Sequence, residues 1–212
     1  MSLLRRLRQK SWETPGIDGL RAPEDYRPPA AAVGLCVYLA VATVIFALIT
    51  SAYVARMGSH GLMNHAAGTD WRSMPKPPLL WLNTAILLAS SLAWESARRA
   101  ARNFKREQTR RMTLIGAGLG VVFLVGQLLL WQQYHAAGYY LAANPANAFF
   151  YLLTAVHGLH LVGGLVACAR VAVQSGNGAD SARAFRNIRL CAVYWHFLFL
   201  VWLLLVGLLV LT

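Results

Sequence analysis

Three histidines are the side chains of this sequence best suited to ligate a metal or carry a proton: His157, His160 and His196. His157 and His160 stand three residues apart, a spacing that sets both on neighbouring parts of one helix face. A bis-histidine haem needs ligands from opposite sides, so one of these two would have to pair with His196 further along the chain. No carboxylate or additional ligand near them completes a metal centre. Hydrogen bonding between helices or to lipid headgroups is therefore the expected role, and haem ligation is the alternative. Gln127, Asn83 and Thr84 read the same way, as polar glue between helices. Glu95 precedes Arg98 and Arg99 by three and four residues, the geometry of an ion pair at a helix end. The alternative for Glu95 is a carboxylate that takes up protons on the inner side. Nucleophile and phosphate motifs are missing: the sequence has no GxSxG, no P-loop and no GxGxxG leading into a βαβ unit.

The elements that must position these groups follow from composition. Of 212 residues, 57% are hydrophobic and 13% charged. A soluble domain carries about a quarter charged residues, so a soluble enzyme is excluded, and the apolar content excludes a disordered basic tail. Five apolar runs hold most of the length: Ala30–Val54, Leu79–Ala97, Met112–Trp131, Phe149–Ala169 and Leu190–Leu211. Each is near the ~20 residues that cross a bilayer core as a helix, and backbone groups in lipid must bond within their own segment. The expected fold is an all-α bundle of five transmembrane helices, residues 30–212, preceded by a polar N-terminal arm, residues 1–29. The second run is the most interrupted, by Asn83, Thr84, Ser90, Ser91 and Glu95; of these Glu95 is the lone carboxylate in any of the five.

The net charge of +12 would suit nucleic acid in a soluble protein. Here its distribution is the membrane pattern instead, and no nucleic-acid partner is expected. Seventeen of the 20 Lys and Arg fall in the arm and in the second and fourth connections. The first connection has only Arg56, Arg72 and Lys76, and the third connection and C-terminus have none. The positive-inside rule then places the N-terminus in the cytoplasm and the C-terminus outside, the opposition that five helices require. Trp71, Trp81, Trp131, Tyr134, Tyr139, Tyr140 and Tyr151 flank the outer ends, where aromatic rings favour the headgroup layer. On this topology His196 lies about 9 Å and His160 about 14 Å from the inner boundary, by rise per residue. The arm has no apolar signal segment. Cys36, Cys168 and Cys191 lie inside apolar runs without CxxC spacing, and read as small buried residues. The excess of Arg over Lys points to a GC-rich bacterial genome, hence to a bacterial inner membrane.

The polar residues fall in a recognisable order. Thr154-Ala155-Val156-His157-Gly158-Leu159-His160 resembles the T-G-x-H-G-x-H motif of subunit III of the haem-copper (cytochrome c) oxidases. Tyr194-Trp195-His196-Phe197 with Val201-Trp202 resembles that family's Y-W-H-F…V-W signature. Leu82-Asn83-Thr84…Leu88-Ala89-Ser90 is similar to its L-N-T…L-x-S, and Leu119-Gly120…Phe123-Leu124…Gln127 to its L-G-x-x-F…Q. The likeness runs from about Ala30 to the C-terminus, in the family's five-helix form.

The resemblance implies a non-catalytic subunit of an aerobic respiratory terminal oxidase, in which the whole complex reduces oxygen to water and translocates protons. It implies packing against catalytic subunit I, with subunit II in the same complex, and haem and copper held by those partners rather than by this chain. It also implies phospholipid in a cleft between helices, with His157, His160, Trp195 and His196 as lipid-cleft or structural residues. Three positions depart from the family. Ala42 stands where many members have a buried Glu, Leu130 replaces a second acidic residue, and Phe199 replaces an Asp. The departures weigh toward structural work and toward a divergent complex. The alternatives are an accessory subunit of a nitric oxide reductase or a haem-binding membrane cytochrome.

Overall fold

The computed structural model describes residues 30–63, 75–141, 144–176 and 181–211, with side chains described to residue 58 in the first stretch, to 170 in the third and from 185 in the last. The N-terminal arm, Trp71 and Arg72 lie outside them. Five long helices follow in chain order: α1 Ala30–Met63, α2 Pro78–Arg102, α3 Arg106–Ala136, α4 Pro145–Gly176 and α5 Ser181–Leu211. Each contains one of the five apolar runs and extends past it.

Local chemistry sets the ends. Pro78 opens α2 at a position where a missing amide costs no hydrogen bond. Asn144 caps α4, its Oδ1 accepting from the Ala146 amide at 3.0 Å, with Pro145 at the first helical position. Helix α3 stops where Gly138 adopts φ 85 and the Tyr139 amide donates back to the Tyr134 carbonyl at 2.9 Å. That left-handed residue is the ordinary site for glycine. Between α2 and α3 the same role falls to Phe104, with φ 55.

Among the described residues, four helices are long and apolar enough to cross a membrane: α1, α3, α4 and α5. Helix α2, with 25 residues, falls below that apolarity because Asn83, Thr84, Ser90, Ser91 and Glu95 lie along it. Its polar groups point inward: Asn83, Ser90 and Ser91 are buried.

Residues 1–37 and 38–212 form separate units. In the first, the described part is the opening of α1, where Val33, Cys36 and Val37 are exposed. The reading of Cys36 as buried is thereby corrected: the start of α1 presents it outward, in a span whose apolar surface suits lipid. Cys168 is buried and Cys191 half-buried.

In the second unit, glycine notches let the helices meet. Gly116 on α3 lies under the Trp94 ring of α2, Gly120 under Trp195 of α5, and Gly164 on α4 under Tyr194 of α5. Small residues at such crossings allow the close backbone approach that holds helices together in lipid. The part of α1 from Tyr38 onward makes ring contacts instead: Phe46 lies 5.3 Å from the His160 ring and Tyr53 5.6 Å from Phe149. At the end of the bundle where α2 begins, the Tyr134 hydroxyl donates to the Pro75 carbonyl at 2.7 Å, and Lys76 Nζ donates to the Val210 carbonyl at 2.7 Å. Lys76 thus sets a positive charge at the C-terminal end of α5, where the helix dipole favours it.

Candidate functional site

The polar side chains sort into three levels along the bundle. Toward the C-terminal end of α2, Ser91 and Glu95 stand one helical turn apart and both face His196 of α5. Ser91 Oγ and His196 Nδ1 are 2.6 Å apart, and His196 Nε2 lies 3.5 Å from Glu95 Oε2. With the ring proton on Nε2, the Ser91 hydroxyl donates to Nδ1. Glu95 also accepts from Arg98 Nε at 2.8 Å and Nη2 at 2.7 Å, and from Arg99 Nε at 2.9 Å. The carboxylate is therefore held by two guanidiniums at the helix end with an imidazole on its inward side.

One layer deeper, Trp195 is fully buried, its Nε1 donating to Ser90 Oγ at 2.7 Å. Ser90 Oγ in turn donates a hydrogen bond to the Gly116 carbonyl at 2.7 Å. The Trp195 ring stacks 5.2 Å from Trp94 and fills the Gly120 notch. One serine hydroxyl thus ties α5 to α2 and α2 to α3.

Deeper again, His157 is wholly buried between aromatic rings, with Trp202 at 5.2 Å, Phe123 at 5.9 Å and Phe46 at 6.4 Å. Neither of its nitrogens has a hydrogen-bond partner among the described residues. Rings from α1, α3 and α5 leave no open side for a haem plane. His160 Nδ1 bonds the Val156 carbonyl of its own helix at 2.7 Å, and its own carbonyl accepts the Tyr194 hydroxyl at 2.7 Å. Trp202 Nε1 donates to Thr84 Oγ1 at 3.0 Å, and Trp131 Nε1 to Thr154 Oγ1 at 3.1 Å.

The expected interhelical hydrogen bonds therefore divide residue by residue. Trp195, His196 and Thr84 make them. His160 bonds within its helix through its ring. Asn83 and Gln127 are buried with no hydrogen-bond partner on either side-chain atom among the described residues. Asn83 is enclosed because Gly126 leaves a hollow against its amide. Packing governs its placement, which a list of polar residues cannot convey.

Ala42 and Leu130 are buried at 1% and 0% exposure, and Phe199 is half-buried. Two of the three positions lacking an acid are thus closed by apolar packing. Among the described residues no group of three or more His, Cys, Asp or Glu could hold a metal. A cavity of about 20 Å³, lined by Tyr53, Leu80, Phe150, Thr154, Trp202 and Leu205 among others, has room for a water molecule and not for a substrate. The sequence reading did not join Ser91, Glu95 and His196. The i, i+4 spacing of Ser91 and Glu95 was the available signal, but His196 is 105 residues from Ser91.

Comparison with known proteins identifies the family. The family model described as "Cytochrome c oxidase subunit III" matches residues 31–210. Among curated relatives, "Probable cytochrome c oxidase subunit 3" of Mycobacterium tuberculosis strain H37Rv is 29% identical over 185 residues, covering 84% of this chain and 85% of the relative. "Cytochrome c oxidase subunit 3" of Thermostichus vulcanus is 29% identical over 183 residues, covering 86% and 87%. The protein of the same description from Bacillus subtilis strain 168 is 25% identical over 171 residues, covering 80% of each. With a family match across nearly the whole chain and several membrane-length apolar helices, this polypeptide belongs to the cytochrome c oxidase subunit III family of haem-copper oxidases and is a multi-pass protein of the bacterial inner membrane.

Proposed function

We propose that this chain is a non-catalytic, lipid-binding structural subunit of an aerobic respiratory haem-copper oxidase. It packs beside catalytic subunit I, with subunit II in the same complex, and contributes stability and lipid rather than a redox centre. All five helices cross the membrane, α2 included, with the N-terminus in the cytoplasm and the C-terminus outside. The burial of the polar face of α2 supports its crossing, since the outward side is left mainly to Leu82, Leu88, Leu92 and Trp81. The 17-to-3 distribution of basic residues supports the orientation.

The observation that carries the reading is the way the interior polar groups are used. Ser90, Trp195, Thr84 and Trp202 bond to one another between helices, and His157 is caged by rings. What remains of titratable character sits at the inner edge, where Glu95 is already paired with two arginines. Such an interior holds helices together and offers no place for a donor or for oxygen to react. Glu95 and His196 form a point at which the chain could pass protons between the inner surface and a neighbouring subunit.

The test is retention. An affinity tag on the catalytic subunit should recover this chain in one-to-one stoichiometry from mild detergent. The same complex stripped of this chain should keep its haem spectrum and its oxygen-reducing activity at first turnover. Loss of the haem spectrum on stripping contradicts the reading.

A further inference from the structure

The turn between α2 and α3 is built around an unfavourable residue. Phe104 has φ 55 and is 77% exposed. That backbone region suits glycine or asparagine and opposes a bulky side chain, yet the neighbouring Asn103 sits at φ −92. Amides of Asn103, Phe104 and Lys105 donate back to carbonyls of Arg99, Ala100 and Ala101, which locks the conformation. The result is an aromatic ring held outward at the tip.

Its surroundings are cationic. Arg99, Arg102, Lys105, Arg106, Arg110 and Arg111 are all exposed. Glu95 pairs with Arg99, and Glu107 pairs with Arg111. Arg102, Lys105, Arg106 and Arg110 have no ion-pair partner among the described residues. A concave surface of Lys105, Arg106, Glu107, Gln108, Arg111 and Met112 adjoins the tip, and its one acid, Glu107, is paired with Arg111. Helix α2 runs on from Ala97, the last residue of its apolar run, to Arg102, about 7.5 Å at helical rise, and Phe104 lies in the turn past that end. From there the ring does not reach the acyl chains, so a lipid anchor is the weaker explanation. An aromatic surrounded by arginines is instead the composition of a protein-binding anchor.

We propose that this turn is a docking knob. Phe104 enters an apolar pocket rimmed by carboxylates on the cytoplasmic face of a neighbouring oxidase subunit, and Arg102, Lys105 and Arg106 meet that rim. The proposal rests on the chain's being an oxidase subunit.

The experiment uses the whole complex, tagged on its catalytic subunit, washed through a salt series, with this chain quantified. Phe104→Gly separates docking from folding, because glycine relieves the strained backbone. Loss of the chain at several-fold lower salt from Phe104→Gly and from the triple variant Arg102→Gln, Lys105→Gln, Arg106→Gln, with the isolated Phe104→Gly chain melting no lower than wild type, supports the proposal. Wild-type retention by Phe104→Gly overturns it. So does normal retention combined with Phe104-dependent binding of the isolated chain to phosphatidylglycerol vesicles, which makes the turn a lipid anchor. Absence of the wild-type chain from the tagged complex overturns the subunit reading and, with it, the knob.

Discussion

Trp195 does the most at the scale of single residues. It is buried, donates to Ser90, stacks on Trp94 and fills the hollow over Gly120. Trp195→Phe removes the donor and leaves a void, so it should destabilise the chain by about 1–3 kcal/mol, read as a lower melting temperature in detergent. Phe104 is the opposite case, since its left-handed backbone costs about 1–2 kcal/mol while its side chain stays exposed. Residues that were legible as polar and membrane-embedded turned out to have very different surroundings. His196 finds Ser91 and Glu95, whereas His157 finds only rings. Residue type and spacing along one helix were enough to predict the Glu95–Arg98 and Glu95–Arg99 pairs. They were not enough to predict contacts across helices, whose register is set by which notch receives which ring. Helix α1 contains no carboxylate between Ala30 and Met63, and Ala42 is buried against its neighbours. Treatment with dicyclohexylcarbodiimide should leave every α1 peptide unmodified in mass-spectrometric maps, and labelling within Cys36–Ser51 would contradict the alignment of Ala42 with the family's acidic position.

The helices themselves were readable because lipid requires long apolar runs, and all five runs lie inside helices of the structure. What the runs hide is how unequal the five are. Helix α2 is the most polar, and its polar side is buried. Helix α1 from Tyr38 onward touches α4 and α5 through large rings. Helix α3 meets α2 at Gly116 and α5 at Gly120, and α4 meets α5 at Gly164. A methyl group at Gly164 meets the Tyr194 ring, and one at Gly120 meets Trp195. Gly164→Ala should therefore cost about 1–3 kcal/mol by overpacking, with the loss concentrated between α4 and α5. Gly163→Ala, with open space at its Cβ position, should leave stability unchanged. Thermal melts of the two variants in one detergent separate a notch from a bystander.

For the molecule as a whole, the family match and the interior chemistry point the same way. Among the described residues, Ser90, Thr84, Trp195 and Trp202 tie helices together, Glu95 is paired with arginines near the C-terminal end of α2, and much of the outward surface is apolar. The orientation proposed above rests on charge alone, because basic residues resist translocation. The catalytic partner was not legible from any residue of this chain and came only from the resemblance. The account's central claim is that the chain works beside another subunit's redox chemistry without a centre of its own. The visible absorption spectrum of this chain, purified alone from a haem-replete host, tests it most directly. The prediction is protein absorbance with no Soret band and no oxygen uptake with reduced cytochrome c or quinol. A stoichiometric haem that disappears in His196→Ala would contradict it.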